Sequence, residues 1–161
     1  MRRRAARAAA LLSIAGTAAA AWPAAASAAA GLTPPERSFL AAVNAARARH
    51  SVPPVTVDAE LVRAARAHSV EMVRTGAFRH GPFVRRVVRY GAHGPVVGED
   101  LGWTTDDPAA TGRIVSWWLA SPPHRSVLLR RSFKHVGIGV ARGPFRGRPH
   151  CIVVTADFEG R

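Results

Sequence analysis

Two histidines and one glutamate occupy positions from which a folded chain can present side chains to a cleft. His80 lies just past a helical pattern and before a Gly-Pro pair, and His124 follows directly after a Pro-Pro corner. Glu99 lies between them in the stretch VVGEDLGW. Two imidazoles and a carboxylate can bind a divalent metal with an open position, or they can serve as a general acid and base. Spacing selects neither chemistry, because no HExxH-type motif places the pair on one helix face.

Other residues with reactive side chains favour structural interpretations. His68 lies near the buried face of a predicted helix, which indicates a packed, hydrogen-bonded ring rather than a ligand. Ser121 beside His124 suggests a Ser-His-Asp hydrolase with Asp157. No G-x-S-x-G turn or oxyanion-hole signature supports that triad, so we disfavour it. Cys151 opens the apolar run CIVVTADF and is expected to be a buried small hydrophobe.

Apolar residues at helical spacing predict the elements that position these side chains. Asp58 is the expected N-cap of the second long helix, and Gly76 closes it. A proline begins the third long helix, and a Ser-Pro-Pro break ends it. The predicted helices span residues 36–50, 58–76, 108–121 and 124–129, with a short amphipathic stretch at 82–91.

Strands are predicted only near the end of the chain. The runs VGIGVA (136–141) and CIVVTADF (151–158) are apolar and β-branched, and the segment between them suggests a hairpin with a broad turn. Residues 91–108 are rich in glycine and turn formers, so we expect a loop there. Helices that precede strands indicate an α+β fold in which helices cover an antiparallel sheet.

The N-terminal segment, residues 1–28, has the pattern of a secretory signal peptide. Four arginines precede an apolar stretch, and small residues around Ala26-Ser27-Ala28 follow it. The apolar part is shorter than the ~20 residues of a membrane-spanning helix. We therefore expect export by a Sec-type signal, cleavage near Ala28, and one mature domain over residues 29–161.

Charge and cysteine usage limit the partners. The formal net charge is +13, and it becomes +9 without the four arginines of the N-terminal segment. A basic exported protein can contact anionic wall polymers or lipid headgroups. No RNP, zinc-finger or helix-turn-helix pattern is present, so we expect no nucleic-acid partner. The single cysteine excludes an internal disulfide framework.

Several motifs in a fixed order carry a family resemblance. They are FLAAVNAARARH with its "N..R" pattern, HSVEMVRTGAFRH, the tetrapeptide GEDL, WWLASPPHRSVLL and the terminal VVTADF. Together they resemble the CAP superfamily (cysteine-rich secretory proteins, antigen 5 and pathogenesis-related 1 proteins), in its short bacterial branch of SCP-like extracellular proteins. The match extends from about Thr33 to Phe158.

This resemblance implies an α-β-α sandwich, with a small antiparallel sheet between helices. It also implies a central cavity with two histidines and acidic residues, which binds a divalent metal in several members of the family. By position these residues are His80, Glu99 and His124. Asp100 and Arg125 complete the expected cavity, and we expect Arg125 to pair with Asp100 or Glu99 rather than to be an ordinary solvated residue.

Two departures from the family pattern weaken the expected metal site. Asp100 replaces the usual Asn of "GEN", which turns an amide into a second carboxyl group. The family's second acid should follow the Trp117-Trp118 pair, where this chain has Ala120 and Ser121. At most two histidines and one matched acid remain, with less charge compensation for zinc or another divalent metal. One tryptophan of the pair is expected in the core and the other at the cavity mouth.

Three functions stay open. The first is a secreted, non-enzymatic and monomeric module that binds a small ligand, lipid or envelope component in the His/Glu cavity, with or without a metal. The second is a metal-assisted hydrolase or peptidase, in which Glu99 is the base for a water held by His80 and His124. The third is a structural protein whose basic surface holds it to anionic polymers or lipid of the cell envelope.

Overall fold

Helices come first along the chain and long strands last. The computed structural model describes residues 31–160, so the predicted signal peptide (1–28) lies outside the described residues. The helices are α1 (Pro34–Arg49), α2 (Ala59–Thr75), α3 (Phe83–Tyr90), α4 (Ala110–Ala120) and α5 (Pro122–Leu128). The strands are β1 (Thr56–Val57), β2 (Val96–Thr105), β3 (Phe133–Phe145) and β4 (Arg148–Gly160).

The four strands form one sheet in the order β1-β3-β4-β2. β4 pairs antiparallel with both β3 and β2, and the two-residue β1 pairs parallel with β3. α2 packs on one face, so closely that a Cβ atom on Gly137 or Gly139 would lie 2.0–2.1 Å from the α2 backbone. α1, α4 and α5 contact the other face or each other. The predicted α+β fold, an α-β-α sandwich, is confirmed, with the short parallel strand as an addition.

Side-chain caps explain where the two long helices begin. Thr33 and Glu36 form a capping box at the start of α1, in which each side chain bonds to the backbone of the other. Asp58 caps α2, because its carboxylate accepts a hydrogen bond from the backbone N–H of Leu61 at 2.9 Å. Gly76 ends α2, as predicted.

The prediction of a loop over residues 91–108 is wrong, because ten of those residues form β2. Glycines, which typically indicate turns, here allow close packing: a Cβ atom on Gly102 would lie 2.4 Å from a methyl group of Ile114. Ladder pairing with β4 provides the stability that the local sequence does not suggest. The predicted broad turn is also wrong, since only Arg146 and Gly147 separate β3 from β4, both with positive φ.

A buried arginine ties α1 to the segment that follows α5. Arg47 is fully buried, and its guanidinium donates to the backbone carbonyls of Pro53 (2.8 Å), Leu128 (2.8 Å), Arg130 (3.2 Å) and Phe133 (3.3 Å). These carbonyl partners replace the water that the cation loses on burial. The "N..R" pattern of α1 therefore has a structural role, because it holds the chain around α5 in place.

Candidate functional site

Glu99 lies in the middle of a buried polar cluster. It is on β2, directly opposite Asp157 of β4, and its side chain is 1% exposed. Arg86 reaches in from α3, and one of its terminal nitrogens donates to Glu99 and lies 3.3 Å from the Asp157 carboxylate. The two adjacent strands and α3 thus bring two acids and one cation together.

The three groups balance their charges by retaining a proton. Burial raises the pKa of Glu99 to about 7, although Arg86 opposes the shift. Burial and the nearby Glu99 raise the pKa of Asp157 well above its usual range. Two buried carboxyl groups beside one guanidinium therefore keep one proton between them, and Arg86 neutralises the remaining negative charge.

His80 is oriented by Glu99. Its Nδ1 atom lies 2.7 Å from Oε1 of Glu99, while its ring remains half exposed. Partial burial and the charge of Arg86 lower the pKa of His80, so the ring is neutral at neutral pH. When Glu99 is ionised, its carboxylate only accepts hydrogen bonds, so Nδ1 of His80 carries the proton and Nε2 remains an acceptor or a metal ligand.

His68 has the packed role that its position on the second helix predicts. It is buried, and its Nε2 atom lies 2.9 Å from the carbonyl oxygen of Arg79. The same nitrogen is 3.9 Å from Glu99, which is beyond hydrogen-bond distance. Burial, followed by the charge of Arg86, lowers the pKa of His68 and keeps its ring neutral.

His124 lies in the first turn of α5, where the two prolines turn the chain out of α4. Its Nδ1 atom is 2.8 Å from the hydroxyl oxygen of Ser121, and the ring is half-buried. Burial lowers the pKa of His124, and the neighbouring His80 lowers it further. The two predicted histidines are thus close enough to interact electrostatically, and both are neutral at neutral pH.

A cleft of about 240 Å³ opens beside His124 at the outer edge of β2. β2 is the last strand of the sheet, and no other strand within residues 31–160 pairs with this edge. Trp117 is 51% exposed at the mouth, whereas Trp118 is buried and donates from its indole nitrogen to the Leu101 carbonyl at 2.7 Å. The full lining is Phe78, Leu101, Gly102, Trp103, Ile114, Trp117, Trp118, Ser121 and His124.

Asp100 lies on the opposite face of β2 from Glu99. The neighbouring Gly98 and Gly102 abut Val127 of α5 and Ile114 of α4, so Asp100 between them faces the same helical layer. It is fully buried, and neither carboxylate oxygen has a hydrogen-bond partner within the described residues. Burial, with a smaller contribution from Glu99, raises the pKa of Asp100 to about 8.

Arg125 does not have the pairing role predicted for it. It is exposed on α5, and it forms no ion pair with Glu99 or Asp100. Arg86 has that role instead, because α3 packs against α2 and directs the long side chain under the sheet. Arg86 lies in the predicted amphipathic stretch close to His80. The periodicity of that stretch does not distinguish a buried arginine from an exposed one, so the sequence analysis missed it.

The geometry limits what the site can do chemically. Both oxygens of Glu99 are engaged, by His80 and by Arg86, so its role is to orient His80 rather than to act as a third ligand. Residues 31–160 contain no group of three or more His, Cys, Asp or Glu side chains arranged to hold a metal ion. The Ser121–His124 contact exists, but the carboxylate of Asp157 faces Arg86. Those contacts do not form a Ser-His-Asp relay.

The fold places this chain among proteins with an α-β-α sandwich. The match to the model of the cysteine-rich secretory protein (CAP) family covers residues 40–158. The chain therefore belongs to the CAP family.

Two curated relatives come from Bacillus subtilis. The uncharacterized membrane protein YlbC is 29% identical over 116 residues, which are 68% of this chain and 32% of YlbC. The uncharacterized protein YkwD is 27% identical over 110 residues, which are 65% of this chain and 41% of YkwD. The matched region thus spans less than half the length of either relative. No helix among the described residues is both long enough and apolar enough to cross a membrane.

Solved structures of bacterial proteins share the fold. An extracellular SCP-domain protein from Bacillus anthracis superposes with a TM-score of 0.64 at 24% identity, over 81% of this chain and 44% of that one. An outer surface protein of Borrelia burgdorferi gives 0.63 at 18% identity, over 81% and 96%. A cysteine-rich secretory protein of Staphylococcus aureus gives 0.64 at 17% identity, over 81% and 40%. At these identities the likeness shows the fold alone.

Proposed function

We propose that this chain is an exported, non-enzymatic CAP module that binds a small apolar ligand, or an apolar side chain of a partner, at the free edge of β2. The observation that carries this proposal is the aromatic cleft beside His124, with a volume of about 240 Å³. Its walls are largely apolar, and Ser121 and His124 offer the polar groups that can orient an occupant. Export is supported by the signal-peptide pattern of the N-terminal segment and by the similar protein described as extracellular.

A small apolar probe tests the cleft directly. Titration with cyclohexanol, followed by NMR, should shift the indole N–H signals of Trp103 and Trp117 in a saturable way. Trp117→Ala should weaken this binding about tenfold, because it removes the exposed wall of the cleft. Val70→Ala is the matched control, since Val70 is equally exposed but lies on α2, away from the cleft. Unsaturable shifts, or equal binding by both variants, would contradict the proposal.

His80 and His124 are the residues that would hold a divalent metal such as zinc. Both rings are neutral at neutral pH, and Glu99 and Ser121 occupy the Nδ1 positions. Two imidazoles without a third free side chain fit a weak site rather than a closed structural one. A metal bound by these two rings would supply a Lewis acid beside His124. Zinc uptake in calorimetry should disappear in His80→Ala and in His124→Ala, but persist in the exposed control His50→Ala.

A metal-assisted hydrolase is the second candidate, because a carboxyl group with a pKa of about 7 in contact with the His80 imidazole suits acid-base chemistry. We place it second, since both oxygens of Glu99 already have partners. Peptide turnover in the presence of zinc that is lost in Glu99→Gln would establish the enzyme. Binding of cyclohexanol without any turnover would support the binding module.

Two further expectations belong to the proposal. Protein recovered from the medium should begin near Ala29, which N-terminal sequencing would show. The module should be a monomer by light scattering. A second copy across the β2 edge would instead cover the cleft and abolish probe binding.

A further inference from the structure

A second cleft, of about 480 Å³, lies between α2 and α3. His68 forms part of its wall, and four arginines line it. We call it the arginine cleft. The one acid among its lining residues is Glu71. Its full lining is Ala67, His68, Glu71, Arg79, Gly81, Pro82, Arg85, Arg86, Arg89 and Tyr90.

Three of the four arginines have no carboxylate partner. Arg79, Arg85 and Arg89 are exposed, and they take part in none of the salt bridges within residues 31–160. Arg86 differs, because Glu99 and Asp157 already neutralise it. The chain from residue 72 to residue 98 contains five arginines and no aspartate or glutamate. No acid between residues 72 and 98 therefore compensates the positive charge at the arginine cleft.

Exposed valines lie beside these arginines. Val84 and Val88 are one helical turn apart on α3 and are 50% and 58% exposed. We call them the valine pair. Arg85 and Arg89 follow each valine by one residue, so the solvent face of α3 carries an apolar stripe next to a cationic stripe. This arrangement is typical of a short helix that lies in the plane of a membrane surface.

We propose that the arginine cleft and the valine pair dock this protein on an anionic phospholipid surface. A headgroup phosphate enters the cleft, where the planar guanidiniums of Arg79, Arg85 and Arg89 donate hydrogen bonds to its oxygens. The valine pair then contacts the boundary between headgroups and acyl chains. A soluble phosphate would satisfy the arginines but leave the valines in water, which is why a lipid surface fits better. This inference does not depend on the function proposed for the cleft beside His124.

Vesicle co-sedimentation tests the proposal with the chain from residue 29 onward, which holds every described helix and strand. It should bind vesicles of phosphatidylcholine mixed with anionic phosphatidylglycerol, and it should not bind vesicles of phosphatidylcholine alone. Arg85→Gln/Arg89→Gln should weaken binding about 25-fold, at about fivefold for each arginine. Arg49→Gln/Arg146→Gln is the matched control, because these arginines are equally exposed and lie elsewhere. Equal loss in both double variants would overturn the proposal, since net charge alone would then explain binding.

The valine pair separates a lipid surface from a soluble phosphate. Val84→Ser/Val88→Ser should reduce vesicle binding at least fivefold and leave the melting temperature nearly unchanged, because both side chains are exposed. Glycerol phosphate at millimolar concentration should not release the wild-type protein from vesicles. Full vesicle binding by the serine variant, together with release by glycerol phosphate, would show that the cleft takes phosphate without membrane contact and would overturn the proposal.

Discussion

Glu99 and Asp100 are neighbours in the chain, yet their carboxyl groups occupy opposite environments. Glu99 faces α2 and α3, where His80 and Arg86 bond to both of its oxygens. Asp100 faces α4 and α5, where neither oxygen has a hydrogen-bond partner among the described residues. The alternation of side chains along β2 produces this difference.

The comparison shows that burial alone does not determine what a carboxyl group can do. Burial raises both pKa values, to about 7 for Glu99 and to about 8 for Asp100. At Glu99 the partners preserve a charge that orients His80, so the group contributes to the site. At Asp100 nothing stabilises a charge, so the group stays protonated at neutral pH, and the fold loses stability when it ionises.

Replacement of Arg86 should have the largest effect. Arg86→Met leaves Glu99 and Asp157 buried without a cation, so we expect a loss of about 3–5 kcal/mol in the free energy of unfolding at pH 8. The loss should be smaller at pH 5, where both carboxyl groups can be protonated. Urea unfolding at the two pH values measures it.

Arg85→Met is the control for Arg86, because the adjacent arginine is exposed and has no ion pair within residues 31–160. We expect it to change the free energy of unfolding by less than about 0.5 kcal/mol. If the two substitutions lowered the free energy of unfolding equally, the ion pairs of Arg86 would not be what stabilises Glu99, and the contrast with Asp100 would fail.

Asp100→Asn should gain stability relative to the wild type as pH rises from about 4 to about 8, where the folded wild type ionises. The pKa of Asp100 is raised in the folded state, so the unfolded chain binds fewer protons between pH 4 and about pH 8. Wild-type stability from this group is therefore present at acid pH and is lost as pH rises to about 8. The variant should gain about 2–4 kcal/mol over wild type between pH 5 and pH 8.5, measured by urea unfolding.

Asp106→Asn serves as the control for Asp100→Asn, because Asp106 forms a partly exposed ion pair with Arg142. The free energy of unfolding of Asp106→Asn should not increase relative to that of the wild type as pH rises. If the difference in free energy of unfolding between Asp100→Asn and the wild type stayed constant over this range, Asp100 would already be ionised at neutral pH. The proposed contrast with Glu99 would then be wrong.

The smallest effect concerns the tautomer of His80. Nitrogen chemical shifts at pH 7.5 should show the proton on Nδ1, because Glu99 accepts a hydrogen bond there. Glu99→Ala should move the proton to Nε2, while Glu71→Ala should leave His80 unchanged, since Glu71 lies beside His68. An Nε2 proton in the wild-type protein would contradict the orienting role of Glu99.

Much of the fold could be predicted from the sequence, because local patterns determine those parts. The helical periodicity, the Asp58 cap and the apolar runs of the last two strands all match the structure. β2 could not be found this way, since its glycines resemble turn residues until the contacts with Ile114 and β4 are known. Its stability comes from pairing across the sheet, which no local pattern records.

The sequence indicated candidate residues for a site but not the contacts among them. Position in the chain indicated His80, Glu99 and His124, and in the structure Glu99 contacts His80 while His124 contacts Ser121. Whether Arg125 or Arg86 pairs with Glu99 depends on how α3 packs against α2, and local sequence patterns do not determine that packing. The separation of Asp100 from Glu99 needed the strand, which had been predicted as a loop.

A pH titration of the side-chain carboxyl carbons by NMR tests the contrast between Glu99 and Asp100 most directly. Glu99 should titrate near pH 7 and Asp100 near pH 8, and Asp157 should keep its proton well above the usual range for an aspartate. In Arg86→Met the signal of Glu99 should move to still higher pH, while that of Asp100 should remain close to its wild-type value. Titration midpoints below pH 5 for all three groups would contradict the account, because burial would then raise the pKa of none of these acids.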